Sequence, residues 1–173
     1  MGFHYDGRVR PPFAQAPADG QESVWDYPRP PRVAPDRREI LVMAGDTIIA
    51  RTTRGVRILE TASPPTVYLP PDDVRMDLLA RTEGRSFCEW KGSALYWSVL
   101  APGAAPIVQA GWSYPQPTPP FDAVRDYVSF YPGRLACFIG GVRVAPQPGG
   151  FYGGWLTPEI AGPVKGEPGT GGW

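Results

Sequence analysis

At 173 residues the chain is long enough for one domain with its own hydrophobic core. Hydrophobic residues make up 42% and aromatics 12%, while 21 glycines and 23 prolines demand many turns, a combination that favours an all-β domain over a helical bundle. Seventeen basic residues balance 17 acidic ones and no apolar run is long enough for a membrane span, so neither a nucleic-acid partner nor a membrane partner is indicated.

Residues 1–20 are polar and proline-punctuated, and are expected to form a disordered tail. Met1-Gly-Phe-His-Tyr-Asp lacks the apolar stretch of a signal peptide, so a cytoplasmic location is expected. A single domain is expected over 21–173. It begins with an extended strap at 22–37, where ESVWDYPRPPRVAP carries Trp25 and Tyr27 as anchors. Ile40 and Val42, then Ala44-Gly45-Asp46, then Ile48 and Ile49 read as a hairpin. Val56 to Glu60 adds a strand with Val56, Ile58 and Glu60 on one face. Thr66 to Leu69 is a short strand, and Pro70-Pro-Asp-Asp opens a helical turn through Val74 to Leu79.

Ser86 to Trp90, a Lys91-Gly92 turn and Ala94 to Leu100 form a second hairpin, followed by a strand from Val108 to Tyr114. Phe121, Val124, Tyr127 and Val128 are spaced for a short amphipathic helix over 121–130. Leu135 to Ile139, Gly140-Gly141 and Val142 to Val144 read as a third hairpin. A C-terminal strap at 146–173 is too rich in glycine and proline for a helix, and its Phe151, Tyr152, Trp155 and Trp173 are expected to pin it across a sheet. Trp25-x-Tyr-Pro-x-Pro recurs as Trp112-x-Tyr-Pro-x-Pro, so rings flanking an extended proline segment are used twice.

The richest constellation is Cys88, Glu89, Trp90 and Lys91 with Tyr96 and Trp97 on the facing strand. Trp90 is expected to neighbour Tyr96 or Trp97 across the hairpin, and Trp112 and Tyr114 extend the cluster. Such rings can line a pocket for planar or cationic ligands, or simply fill the wedge between two sheets. Glu60 shares a face with apolar residues and needs a cationic partner, for which Arg54, Arg57, Arg75 and Lys91 are the candidates. The candidate ligand-binding set is therefore Glu60, Cys88, Glu89, Trp90, Lys91, Tyr96, Trp112 and Tyr114.

No catalytic residue, cofactor or metal follows from the sequence. Cys88 and Cys137 are expected to be reduced and buried. His4 is the only histidine, which leaves no Cys–His nucleophile pair in the body of the chain. Lys91 lies beside a turn, so it is expected to be too exposed to activate Cys88.

The strings ESVWDYPRPP, LETASPPTVYLPPDDVRMDLL, SFCEWKG, GWSYPQPTPPF, FYPGR and PQPGGFYGGWLTPEIAGPVKG resemble the family called domain of unknown function 427, over roughly residues 22–173. The resemblance implies a β-tent fold, in which two small antiparallel sheets lean together, with one or two short helices and long ordered Pro/Gly loops. Relatives with that fold include zinc-binding, methionine sulfoxide reductase and aromatic-cage ligand-binding proteins. This chain has no paired CxxC motif, which argues against a structural zinc. The family also carries a nucleotidyltransferase-like label. Gly92-Ser93 is present, but no DxD pair follows for two-metal chemistry, and there is no GxxxxGKS phosphate loop. A small-molecule pocket is the leading expectation, with a protein-interaction module built on the 25–31 and 112–120 segments as the alternative.

Overall fold

Alternating burial marks the strands, as in Ile40, Val42 and Ala44, which are buried while Leu41 and Met43 between them are only half-buried. The computed structural model describes residues 2–173. Its strands in chain order are β1 (Glu22–Ser23), β2 (Arg32–Asp36), β3 (Ile40–Ala44), β4 (Thr47–Thr52), β5 (Gly55–Leu59), β6 (Thr66–Tyr68), β7 (Leu79–Cys88), β8 (Gly92–Val99), β9 (Ile107–Ser113), β10 (Ser129–Phe130), β11 (Ala136–Ile139), β12 (Val142–Arg143), β13 (Ala145–Pro146), β14 (Trp155–Leu156) and β15 (Ile160–Ala161). Two four-stranded antiparallel sheets, ordered β12-β11-β3-β4 and β10-β9-β8-β7, are joined by a three-stranded sheet, β2-β5-β6. The all-β reading thus holds, with more sheets than two.

The predicted turns close the hairpins. Gly45-Asp46 joins β3 to β4 with Ala44 opposite Thr47, and Gly140-Gly141, both at positive φ, join β11 to β12. The main core lies between the two larger sheets. It holds Ile40, Val42 and Ile49 from one side, Val99, Ala110 and Phe130 from the other, and Trp155 from the C-terminal strap.

Two helices expected from sequence are shorter than their spacing suggested. Val74–Leu79 gives way to two 3-10 turns, Pro71–Asp73 and Met76–Leu78, and Leu79 already starts β7. The 121–130 segment forms a 3-10 turn at Pro119–Val124, kinked at Phe121. Asp126 then takes a left-handed φ of 61°, which stops any helix, and Ser129–Phe130 pairs with β9. Phe121 and Val124, three residues apart, are both buried by the 3-10 turn, so the apolar spacing is satisfied without an α-helix.

The segment expected to be a disordered tail is seated on the domain. Tyr5 and Phe13 each meet the Trp25 ring edge-on, at 5.2 and 5.3 Å, and Phe13 stacks on Trp173 at 5.0 Å. Gln15 N–H donates to Gly162 C=O at 2.9 Å. Four rings converging on one site bury enough apolar surface to offset the entropy of ordering a polar tail. Trp155 and Trp173 pin the C-terminal strap as expected, but Phe151 and Tyr152 do not, being 76% and 40% exposed.

The two straps meet in a parallel β1–β15 pair, Glu22 opposite Ile160. Glu22 accepts hydrogen bonds from Arg57 and from Tyr27 Oη. Burial works to raise its pKa, but the bonds from Arg57 and Tyr27 prevail and hold the carboxyl below its ordinary 4.5. Asp36 is likewise held below 3.8, because its bonds from Arg38 outweigh burial. A depressed folded-state pKa contributes stability that is complete above the unfolded value and is lost as pH falls through the folded one. The urea midpoint should therefore stay level near neutral pH and drop below about pH 4. Glu22→Gln should be less stable than the parent at neutral pH, with the difference shrinking toward pH 3.

Candidate functional site

The site forms where the three-stranded sheet faces the β10-β9-β8-β7 sheet. Period-two alternation turns Ile58 and Glu60 toward it from the end of β5, and Thr66 and Tyr68 from β6, while Leu59 and Val67 turn to other cores. From the opposite sheet, β8 presents Tyr96 and β9 presents Trp112, directly paired to it. A register shift between Thr82 and Arg85 bulges β7 at Glu83-Gly84. Beyond the bulge, Ser86 meets Tyr96 Oη at 2.7 Å. The half-open cavity between these walls measures about 980 Å³.

All eight candidate residues line this one cavity. Trp112 and Tyr114 are 7% and 6% exposed. The Trp112 ring lies 4.6 Å from Tyr131 and edge-on to Tyr68 at 6.2 Å, and its Nε1–H donates to Tyr68 Oη at 3.2 Å. Burial pushes the Tyr114 and Tyr131 phenols well above the ordinary tyrosine range, so both stay neutral donors.

Trp90 does not stand opposite Tyr96 or Trp97. Cys88 pairs with Gly92, which makes Glu89-Trp90-Lys91 a three-residue loop closed by Gly92 at φ 99°. Thr118 holds that loop: its N–H donates to Lys91 C=O at 3.1 Å and its hydroxyl to Trp90 C=O. Trp90 stacks instead on Phe3 of the N-terminal segment, with 6.2 Å between centroids. Trp97 turns to the main core, where its Nε1–H donates to Ser113 Oγ.

Glu60 finds a partner that spacing did not suggest. Arg54, Arg57 and Arg75 are engaged by Asp73, Glu22 and Asp77. The pairing cation is Arg29, with Nε 3.1 Å from Glu60 Oε1, and Trp90 Nε1–H donates to the same oxygen at 3.2 Å. Arg29 also donates to the carbonyls of Tyr5, Thr61 and Trp173, and its side chain is 4% exposed. It therefore ties both termini to the cavity wall. Arg29→Met should lower the unfolding free energy by about 3 kcal/mol, since it leaves Glu60 without its cation and three carbonyls without donors. A urea titration checks it.

Lys91 is buried, contrary to the expectation from its place beside a turn, because the Thr118 clamp folds the loop inward. Its Nζ sits 5.5 Å from the centre of the Tyr114 ring. Burial favours the neutral amine, but the Tyr68, Cys88 and Glu60 groups around it prevail and raise its pKa, so it stays an ammonium. Cys88 is only partly buried and opens onto the cavity, whereas Cys137 is buried in the main core with its thiol pushed up to about 12 by burial. Iodoacetamide at pH 8 should modify Cys88 and spare Cys137 in the native protein, as read by peptide mass spectrometry.

Sequence reasoning missed Tyr68, Tyr131, Arg85, Arg134, Lys165 and Phe3, which also line the cavity. Tyr68 was open to detection, since the two-residue period places it beside Thr66. Arg134 and Lys165 sit in loops, where no period applies. Gly153 of the C-terminal strap packs against the Trp112 ring: a Cβ there would stand 2.1 Å from Trp112 Cη2. The strap thus lines the cavity of its own chain.

The acidic residues around the 3-10 turns are committed elsewhere, Asp73 to Thr52 and Arg54, and Asp77 to Arg75. Among the described residues, no group of three or more His, Cys, Asp or Glu side chains is placed to hold a metal ion. No helix among them is long and apolar enough to cross a membrane. A family model described as domain of unknown function (DUF427), under a nucleotidyltransferase-type label, matches residues 32–140. That span contains all eight candidate residues, while Phe3, Gly153 and Lys165 lie outside it. No curated protein matches the chain.

Proposed function

This chain belongs to the family described as domain of unknown function (DUF427), and for it we propose a pocket that binds a small planar molecule between two sheets. One observation carries the reading: a cavity of about 980 Å³ is walled by Tyr68, Tyr96, Trp112, Tyr114 and Tyr131, with a few polar groups convergent on it. Ligand sites have this size and this mix of aromatic wall and sparse polar contacts. Rings that merely filled a wedge would pack it solid, as interiors normally are. Small antiparallel sheets that both line one cavity also support a β-tent reading of the fold. Unpaired thiols at Cys88 and Cys137 fit a cytoplasmic location as part of the same proposal.

The alternative, docking of a protein on the proline–aromatic segments, loses its support. Trp25, Tyr27 and Trp155 are 0%, 5% and 1% exposed, so these segments are straps on the protein's own surface.

A thermal-shift screen over planar metabolites tests the proposal, since a ligand of the native state alone raises the melting temperature. The expected result is a reproducible shift that disappears in Trp112→Ala and in the milder Tyr131→Ala, with both variants still melting cooperatively. Shifts that persist in both folded variants would refute it.

A further inference from the structure

The chain has 15 arginines but only two lysines, Lys91 and Lys165. Lysine is almost never fully buried, because its ammonium is strongly hydrated. Here both lysines are 7% exposed, and both line the same cavity, one from the β7–β8 loop and one from the C-terminal strap. Neither has an Asp or Glu carboxylate within 4.0 Å among the described residues. Glu60, a half-buried acid in the wall, is already paired with Arg29. Glu89, the other carboxylate on the lining, is exposed.

The ammonium groups are also poor in hydrogen bonds. Among the described residues, Lys165 Nζ donates only to the main-chain oxygen of Trp173, at 3.4 Å, and rests over the Phe3 and Tyr152 rings at 5.4 Å each. Lys91 Nζ has no oxygen or nitrogen partner among the described residues; it meets the Cys88 thiol and faces the Tyr114 ring. Burying an ammonium with so few direct partners is costly, and an apolar residue would fill either position without desolvating a charge. Arg85 and Arg134 add two exposed cations to the lining. The field in the cavity is therefore positive beside a wall of rings.

We propose that Lys91 and Lys165 are the anion receptor of the pocket, and that its ligand is a planar ring system carrying a carboxylate or a phosphate. The inference rests on the pocket reading and names its ligand class. The anionic group supplies the missing counter-charge to the two ammonium groups while the ring lies against Trp112 and Tyr131. Arg85 and Arg134 attract the anion to the mouth.

Two lysines allow a direct test. In protein labelled with 13C-lysine, the two side chains give two sets of ε-methylene signals. The probes are 2-naphthoate, 2-naphthyl phosphate and the neutral 2-naphthamide, with affinities measured by calorimetry. Either anion should shift both sets of lysine signals and bind at least tenfold more tightly than the amide, and the tighter of the two identifies carboxylate or phosphate. Lys91→Met and Lys165→Met should each weaken anion binding at least tenfold and change amide binding several-fold less. Equal binding of amide and anion, or anion binding unchanged in both variants, would overturn the inference and leave the pocket standing. Binding of none of the three probes would count against both readings.

Discussion

Replacing Trp155 with alanine should lower the unfolding free energy by about 3–5 kcal/mol, the largest effect expected of any single change in the C-terminal strap. Trp155 is 1% exposed within the main core. Its Nε1–H donates to Phe130 C=O at 2.9 Å, and its backbone N–H donates to Pro65 C=O at 2.8 Å. Alanine would leave a cavity the size of an indole and an unsatisfied carbonyl on β10. Trp155→Phe keeps much of the burial and loses the side-chain bond, so its loss should be smaller. Urea unfolding of the two variants measures both. A loss under about 1 kcal/mol for alanine would show that the strap is not part of the cooperative fold.

Gly153→Ala should weaken ligand binding at least tenfold with a loss of about 1–3 kcal/mol in stability. The added methyl would stand 2.1, 2.6 and 3.2 Å from three atoms of the Trp112 indole. That ring is itself held by Tyr68 and Tyr131 and cannot swing aside without losing them. The strap must lift instead, and the cavity opens to solvent. Gly133→Ala is the control: it lines the same cavity, but its Cβ would meet Pro146 at an ordinary 3.5 Å. Binding and melting temperature should be nearly unchanged there. Normal affinity in Gly153→Ala would mean that the strap plays no part in the site.

Features with a short period or a local rule were legible in the sequence. The hairpins at Gly45-Asp46 and Gly140-Gly141 were, because two-residue turns have their own chemistry. The face shared by Ile58 and Glu60 was, because strands alternate, and so the eight candidate residues reached one cavity. Long-range closure was not legible. Nothing within a few residues of Lys91 shows that Thr118 will fold its loop inward, nor that Phe3 will reach Trp90 from the far end of the chain. Arg29 was not among the partners that spacing offered Glu60, yet it joins Glu60 to the main-chain oxygens of Tyr5 and Trp173. The 121–130 helix failed for a similar reason: Phe121 and Val124 are buried by a 3-10 turn, and pairing with β9 claims the residues beyond it.

A crystallographic fragment screen tests the central claim most directly. Planar fragments should appear in the cavity with a ring against Trp112 and Tyr131, and acidic ones should point their charge toward Lys91 and Lys165. Fragments bound only outside the cavity, across a screen of several hundred compounds, would contradict the account and return these rings to the role of core filler.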